Sequence, residues 1–131
     1  MSDHYHAVVW IDHHQARVLG FNESDAEFEQ VQPLHPTRHI HHKANSIGSG
    51  HSAEDQKYFD AVVHAIGAAG AVLITGPANA KHELVKHIER CDPNMRSRVA
   101  AVQTLDHPSD GELVAHARKF FHAADRMASQ R

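Results

Sequence analysis

The stretch GAVLITGPANAK, residues 70–81, decides how this chain folds. Residues 70–76 form a short, continuous apolar run of the kind that fills a strand buried on both faces of a sheet. Gly76 and Pro77 then mark a sharp exit from that strand, and beyond Lys81 the apolar residues change period. Leu84, Val85 and Ile88 share one side of a helix, which Asp92-Pro93-Asn94 stops. A buried strand leading into a helix of this length is the first part of a parallel crossover, so a second parallel strand is expected downstream. RVAAVQTL, residues 98–105, supplies it.

Working outward, Ser109 and Glu112 form a capping box that opens a last helix carrying Leu113, Ala117, Phe120, Phe121 and Ala124 on its apolar face. Upstream, Ser52 with Asp55 opens a helix over roughly 53–68, with Phe59, Val62, Val63 and Ile66 on its buried side. Before that the chain is rich in β-formers. HAVVWIDH (6–13) reads as a core strand, and QARVLGFN (15–22) as a less buried partner carrying Val18 and Phe21. A tight connection around His13, His14 and Gln15 joins them into an antiparallel hairpin. AEFEQVQPL (26–34) alternates at Phe28 but has Val31 out of step, which predicts a bent or bulged third strand ended by Pro33 and Pro36. The expected order is β-β-β-α-β-α-β-α, an α/β domain spanning residues 1–131. Strands at 71–75 and 98–104 should extend the sheet of the three antiparallel strands, with helices packed over it.

Composition narrows the function classes. The hydrophobic fraction of 41% is that of a globular protein, and the formal charge of −3 excludes a polycation that coats nucleic acid. The single cysteine, Cys91, rules out an internal disulfide and argues against a thiolate zinc site. No basic segment precedes a long apolar run, and no window approaches a membrane span, so a cytoplasmic protein with no membrane partner is expected. Fifteen histidines are the outlier. They are spread along the chain, unlike an appended tag, and make the net charge climb on mild acidification.

Four segments carry a resemblance. They are VVWIDHHQARVLGF (8–21), YFDAVVHAI (58–66), VLITGPANAKHELVKHI (72–88) and VQTLDHPSDGELVAHARKFF (102–121). Together the chain resembles small bacterial proteins related to the central domain of class 1 peptide release factors and of the ribosome-rescue protein Pelota. The resemblance covers nearly the whole chain and implies a ribonuclease-H-like mixed sheet flanked by helices. In release factors this domain carries a Gly-Gly-Gln loop, between the early strands and the first long helix, that triggers peptidyl-tRNA hydrolysis. The matching interval here reads SIGSGH (46–51), and Gly-Gly-Gln occurs nowhere in the chain. Gly48, Ser49, Gly50 and His51 thus offer a turn without the glutamine amide. Pelota-like proteins also lack the tripeptide and bind ribosomes without releasing peptide. The resemblance implies a non-enzymatic protein that associates with the ribosome, its rRNA or a translation factor, in rescue or translational regulation, with no cofactor.

HPTRHIHHKANSIGSGH (35–51) places five histidines in seventeen residues. Imidazoles ligate zinc, and His39, His41 and His42 are the candidate ligands: residues 39 and 41 could point the same way on an extended segment, with His35, His51 or His13 supplying a third ligand. No HExxH or cysteine-containing pattern fixes such a site, so a contact loop or a solvated loop that picks up zinc or nickel adventitiously is the plainer reading.

A metal-dependent nuclease or hydrolase is the alternative function. Nucleases of ribonuclease-H type cluster carboxylates around two divalent ions. Asp12 at the end of the first strand, with Asp106 and Asp110 after the last, is the candidate set, and Glu54 or Asp55 could join it. Acids at strand ends and helix starts are equally explained by turns and the helix dipole. GPANAK lacks the spacing of a phosphate-binding P-loop. Its helix is expected to expose Lys81, His82, Lys86, His87 and Arg90, of which Lys81, Lys86 and Arg90 are the candidate RNA contacts. Trp10, Phe59, Phe120 and Phe121 recur on core elements and are assigned to packing.

Overall fold

The computed structural model describes residues 5–22, 25–33 and 53–129. Its elements run β1 (His6–Ile11), β2 (Ala16–Phe21), β3 (Ala26–Val31), α1 (Ala53–Ile66), β4 (Ala71–Gly76), α2 (Ala80–Cys91), α3 (Pro93–Arg96), β5 (Val99–Thr104) and α4 (Asp110–Ser129). Five strands make one open sheet in the order β3-β2-β1-β4-β5. β2 is antiparallel to both β1 and β3, while β4 is parallel to both β1 and β5. The expected single mixed sheet is thus what forms. The hairpin strands lie on one side of β1 and the crossover strands on the other.

Alternation of side chains along β1 sorts the core into two halves. Ala7, Val9 and Ile11 face α1 and α2, where Phe59, Val62, Ile66, Leu84 and Ile88 pack with them. Val8 and Trp10 face α4 and meet Leu113, Val114, Ala117 and Phe121. β4 is split in the same way, Val72 and Ile74 to one side and Leu73 to the other. Helices on both faces are the reason the apolar runs in β1 and β4 are continuous rather than alternating. Thr75, the one polar side chain buried in β4, is satisfied by donating its hydroxyl to the Val9 carbonyl at 2.7 Å.

One strand expectation holds and one needs correction. β2 is the less buried member of the hairpin, with Arg17 and Gly20 partly exposed, although Ala16, Val18, Leu19 and Phe21 are buried. It is an interior strand with a neighbour on each side, which its half-polar sequence did not announce. β3, by contrast, is not bulged, because its register with β2 is unbroken from Ala16↔Val31 to Phe21↔Ala26. It is an edge strand whose residues are exposed except Val31, and Phe28 is 50% exposed. The irregularity lies instead between β4 and β5, where Val72 pairs with Val99 but Leu73 pairs with Ala101.

The helix ends follow side-chain chemistry. Ser109 and Glu112 form the reciprocal box at α4: Glu112 N–H donates to Ser109 Oγ at 3.1 Å, and Ser109 N–H to Glu112 Oε1 at 2.8 Å. Asp92 and Pro93 do end α2, and they also start α3, with the Asp92 carboxylate accepting from Met95 N–H at 3.2 Å. Ser52, assigned to the start of α1, lies outside the described residues. Among the described residues no helix is long and apolar enough to cross a membrane.

Candidate functional site

β1, β4 and β5 are parallel and end at the same edge of the sheet, the edge where open α/β sheets usually meet ligands. The connections leaving it are residues 12–15, 77–79 and 105–109. The Gly76 exit is set by crowding: a Cβ there would stand 2.2 Å from the Ile11 carbonyl oxygen. Only glycine lets β4 run that close to β1 before the chain turns into α2.

Asp12 builds the β1–β2 turn. Its Oδ1 accepts from His14 N–H at 2.7 Å and from Gln15 N–H at 2.9 Å, the side-chain-to-backbone bonding that makes Asp a turn residue. The Asp12 carbonyl accepts the Tyr58 hydroxyl at 2.8 Å, which ties α1 to the turn. Burial, reinforced by the Asp12 charge, pushes the Tyr58 phenol well above the usual tyrosine range.

The turn also presents His13, whose Nε2 lies 3.3 Å from Glu83 Oε1 in the first turn of α2. The hydrogen bond to Glu83 raises the His13 pKa; burial opposes the rise, while the charges of Glu83, Asp55 and Asp12 add to it. A folded-state pKa above the unfolded one means the pair stabilises fully below about pH 6.5 and fades as pH rises through the folded value. Replacing Glu83 by Gln should therefore cost more stability near pH 5.5 than near pH 8, by less than about 1 kcal/mol because the pair is solvent-screened. An NMR titration should show the His13 transition moving down in that variant. A transition that stays in place would dissociate the two groups.

On the α4 face, Trp10 anchors the β5–α4 connection. Its indole N–H donates to the Asp106 carbonyl at 2.7 Å, and the His107 ring lies 5.0 Å from its own. The Arg17 guanidinium sits 4.9 Å over the indole, donating Nη1–H to Asp110 Oδ1 at 2.6 Å and Nη2–H to the Pro108 carbonyl at 2.8 Å. Arg17 Nε is buried without a hydrogen-bond partner among the described residues. Arg17 is a residue of this edge whose bracing of the β5–α4 connection sequence reading missed. Its partners are more than ninety positions away, so no local pattern could reveal them.

The acidic set does not assemble as a metal centre. Asp12 is bonded within its turn, Asp110 is paired with Arg17, and Asp106, 92% exposed, meets only its neighbour His107 at 3.0 Å. Among the described residues no three metal-ligating side chains come together. His39, His41, His42 and the loop residues Gly48, Ser49, Gly50 and His51 lie outside the described residues.

The α2 face also differs from expectation. Lys86 and Arg90 are exposed, as is His82, but Lys81 is 4% exposed and His87 is 2% exposed. Both stand three residues from Leu84, on the flank of the buried stripe, so helical geometry turns them inward. The Lys81 ammonium donates to the Ala78 carbonyl, bracing the turn that precedes it. His87 lies tilted against Phe59, ring centroids 5.6 Å apart, and bonds through Nε2 to Asp60 of α1 at 2.7 Å. Glu89, also exposed on α2, pairs with Arg96 at 3.0 Å.

No protein-family model matches the chain, and no curated protein matches it in sequence. Solved structures do match in fold. Pelota of Archaeoglobus fulgidus superposes with a TM-score of 0.60 at 10% identity, over 87% of this chain and 30% of its own. Dom34 of S. cerevisiae, a translation termination-like factor involved in RNA quality control pathways and interacting with Hbs1, gives 0.59 at 8% identity over 96% and 38%. The archaeal translation termination factor aRF1 gives 0.58 at 14% identity over 95% and 39%. The chain thus spans less than two-fifths of each of these proteins. At such identities the likeness is one of fold: a five-stranded open sheet with helices, shared with one region of Pelota, Dom34 and aRF1.

Proposed function

We propose that this protein acts in translation by binding the ribosome or a translation factor, in rescue or regulation, without catalysing peptide release or RNA cleavage. The observation that carries the reading is the fold match over nearly the whole chain to Pelota, to the termination-like factor Dom34 and to the termination factor aRF1. Missing Gly-Gly-Gln argues against release, and engagement of Asp12 in its own turn and of Asp110 by Arg17 argues against a two-metal nuclease. Contact would be made by the loop bearing Gly48, Ser49, Gly50 and His51 together with Lys86 and Arg90, which stand one turn apart on the exposed side of α2. Lys81 is reassigned from rRNA contact to support of the Gly76–Ala80 turn. Zinc or nickel at His39, His41 and His42 would be adventitious, with no cofactor required.

Co-sedimentation with ribosomes tests this. The parent chain should pellet with them in a salt-sensitive manner, because phosphate contacts release counterions. Changing Lys86→Glu and Arg90→Glu together should weaken the association at least about tenfold, since each contact is lost and a repulsive charge takes its place. A parent chain that stays in the supernatant at low salt would contradict the proposal.

A further inference from the structure

The edge of the sheet opposite the Asp12 turn holds a second feature. Where β1 begins and β2 ends, a surface cavity of about 580 Å³ is lined by Tyr5, His6, Phe21, Phe121, Arg118 and Lys119, among others. Sites of about 300–1,000 Å³ are of the size that holds small organic groups. We propose that it binds one nucleotide of single-stranded RNA, the base against the aromatic side chains and the phosphate at Lys119 and Arg118.

The aromatic side chains form a connected bed. His6 lies 4.4 Å from Phe121 and 5.8 Å from Phe21, while Tyr5 meets His6 edge-on at 5.0 Å. Phe21 and Phe121 are buried, but Tyr5 is 62% exposed. Its ring is seated against Gly70, where a Cβ would stand 2.1 Å from it. The bare glycine leaves the room in which the ring lies, and the edge of His6 packs against it. A large aromatic surface kept exposed and oriented, beside an apolar floor, is what stacking of an unpaired base requires.

The rim supplies the charge complement. Arg118 is held by donating to the Asn22 carbonyl at 3.0 Å and to the Asp25 carbonyl at 3.2 Å, with its guanidinium 5.9 Å over the Phe21 ring. Lys119 is next along α4 and exposed. The nearby Asp25 carboxylate is turned to the backbone, accepting from Ala26 N–H at 2.9 Å. Paired cations beside an aromatic bed match a base and its phosphate, and the openness of the site at the surface suits a chain that continues past it. Sequence composition gave no hint of this, since the aromatic residues come from positions 5, 21 and 121 and assemble only in the fold. The choice of RNA as the source of the nucleotide rests on the proposed role in translation.

Fluorescence anisotropy with a labelled oligouridylate and the full chain tests the site. The parent should bind; Tyr5→Ala should weaken binding about tenfold or more, and Tyr5→Phe should retain it. Lys119→Ala should lower the slope of log K against log salt by about 0.7, the loss of one single-strand phosphate contact. Circular dichroism of each variant checks folding, and the Tyr5 backbone carbonyl that accepts from Gly70 and Ala71 N–H is kept in all of them. Absence of binding by the parent, or Tyr5→Ala and Lys119→Ala both indistinguishable from it, overturns the site. If ribosome co-sedimentation persists in that event, the translational reading stands without it. Oligouridylate binding lost in Tyr5→Ala, with no ribosome association by the parent, keeps the site and removes the reading.

Discussion

Replacing Trp10 by Ala is expected to destabilise the protein by about 3–5 kcal/mol, the cost of truncating a fully buried aromatic residue. Trp10 is 0% exposed, packs between the sheet and α4, and is the platform on which Arg17 lies. Its indole N–H also holds the Asp106 carbonyl. Truncation therefore opens a cavity and frees the β5–α4 connection in one step. Against a typical total stability of about 5–15 kcal/mol, the loss should lower the melting temperature by roughly 10–20 °C. Trp10→Phe separates the contributions: it keeps most of the packing and removes the donor to the part-buried Asp106 carbonyl, at about 0.5–1.5 kcal/mol. Urea unfolding of both variants measures the difference. A loss below about 1 kcal/mol for Trp10→Ala would mean that the connection is not anchored there.

The second large effect is at Gly76. An alanine Cβ would be driven to 2.2 Å from the Ile11 carbonyl oxygen, a backbone atom of the central strand that cannot swing away. Gly76→Ala should cost about 3 kcal/mol or force β1 and β4 apart at that end. Gly111, in the first turn of α4, gives the opposite sign. A Cβ there meets nothing within 4 Å, so Gly111→Ala should stabilise by up to about 1 kcal/mol through helix propensity. Chemical denaturation of the two variants side by side distinguishes crowding from a general intolerance of substitution. Equal and small effects at both positions would refute the close approach of β1 and β4.

These contrasts show what could be read from local pattern and what could not. The buried strand at 71–76, the helix after it and the Ser109–Glu112 box were legible because each is written in a few adjacent residues. β2 was legible as less buried than β1, but its interior place in the sheet depends on having β3 beyond it, a fact of sheet order. Likewise Lys81 and His87 were placed outside on chemical type, whereas their spacing of three from Leu84 puts them at the core boundary. Asp12 looked like a candidate metal ligand, and its two backbone bonds make it a turn residue. Charge alone does not say whether a side chain serves solvent, a turn or a ligand. The partners decide, and for Arg17 they lie more than ninety residues along the chain.

Ultraviolet crosslinking in cells of the source organism, followed by identification of the RNA and protein joined to this chain, tests the central claim most directly. The account predicts ribosomal RNA, ribosomal proteins or a translation factor among the crosslinked partners, with recovery reduced when Lys86 and Arg90 are both reversed in charge. Recovery of none of these, across growth and stress conditions in which the protein is present, would contradict a role in translation.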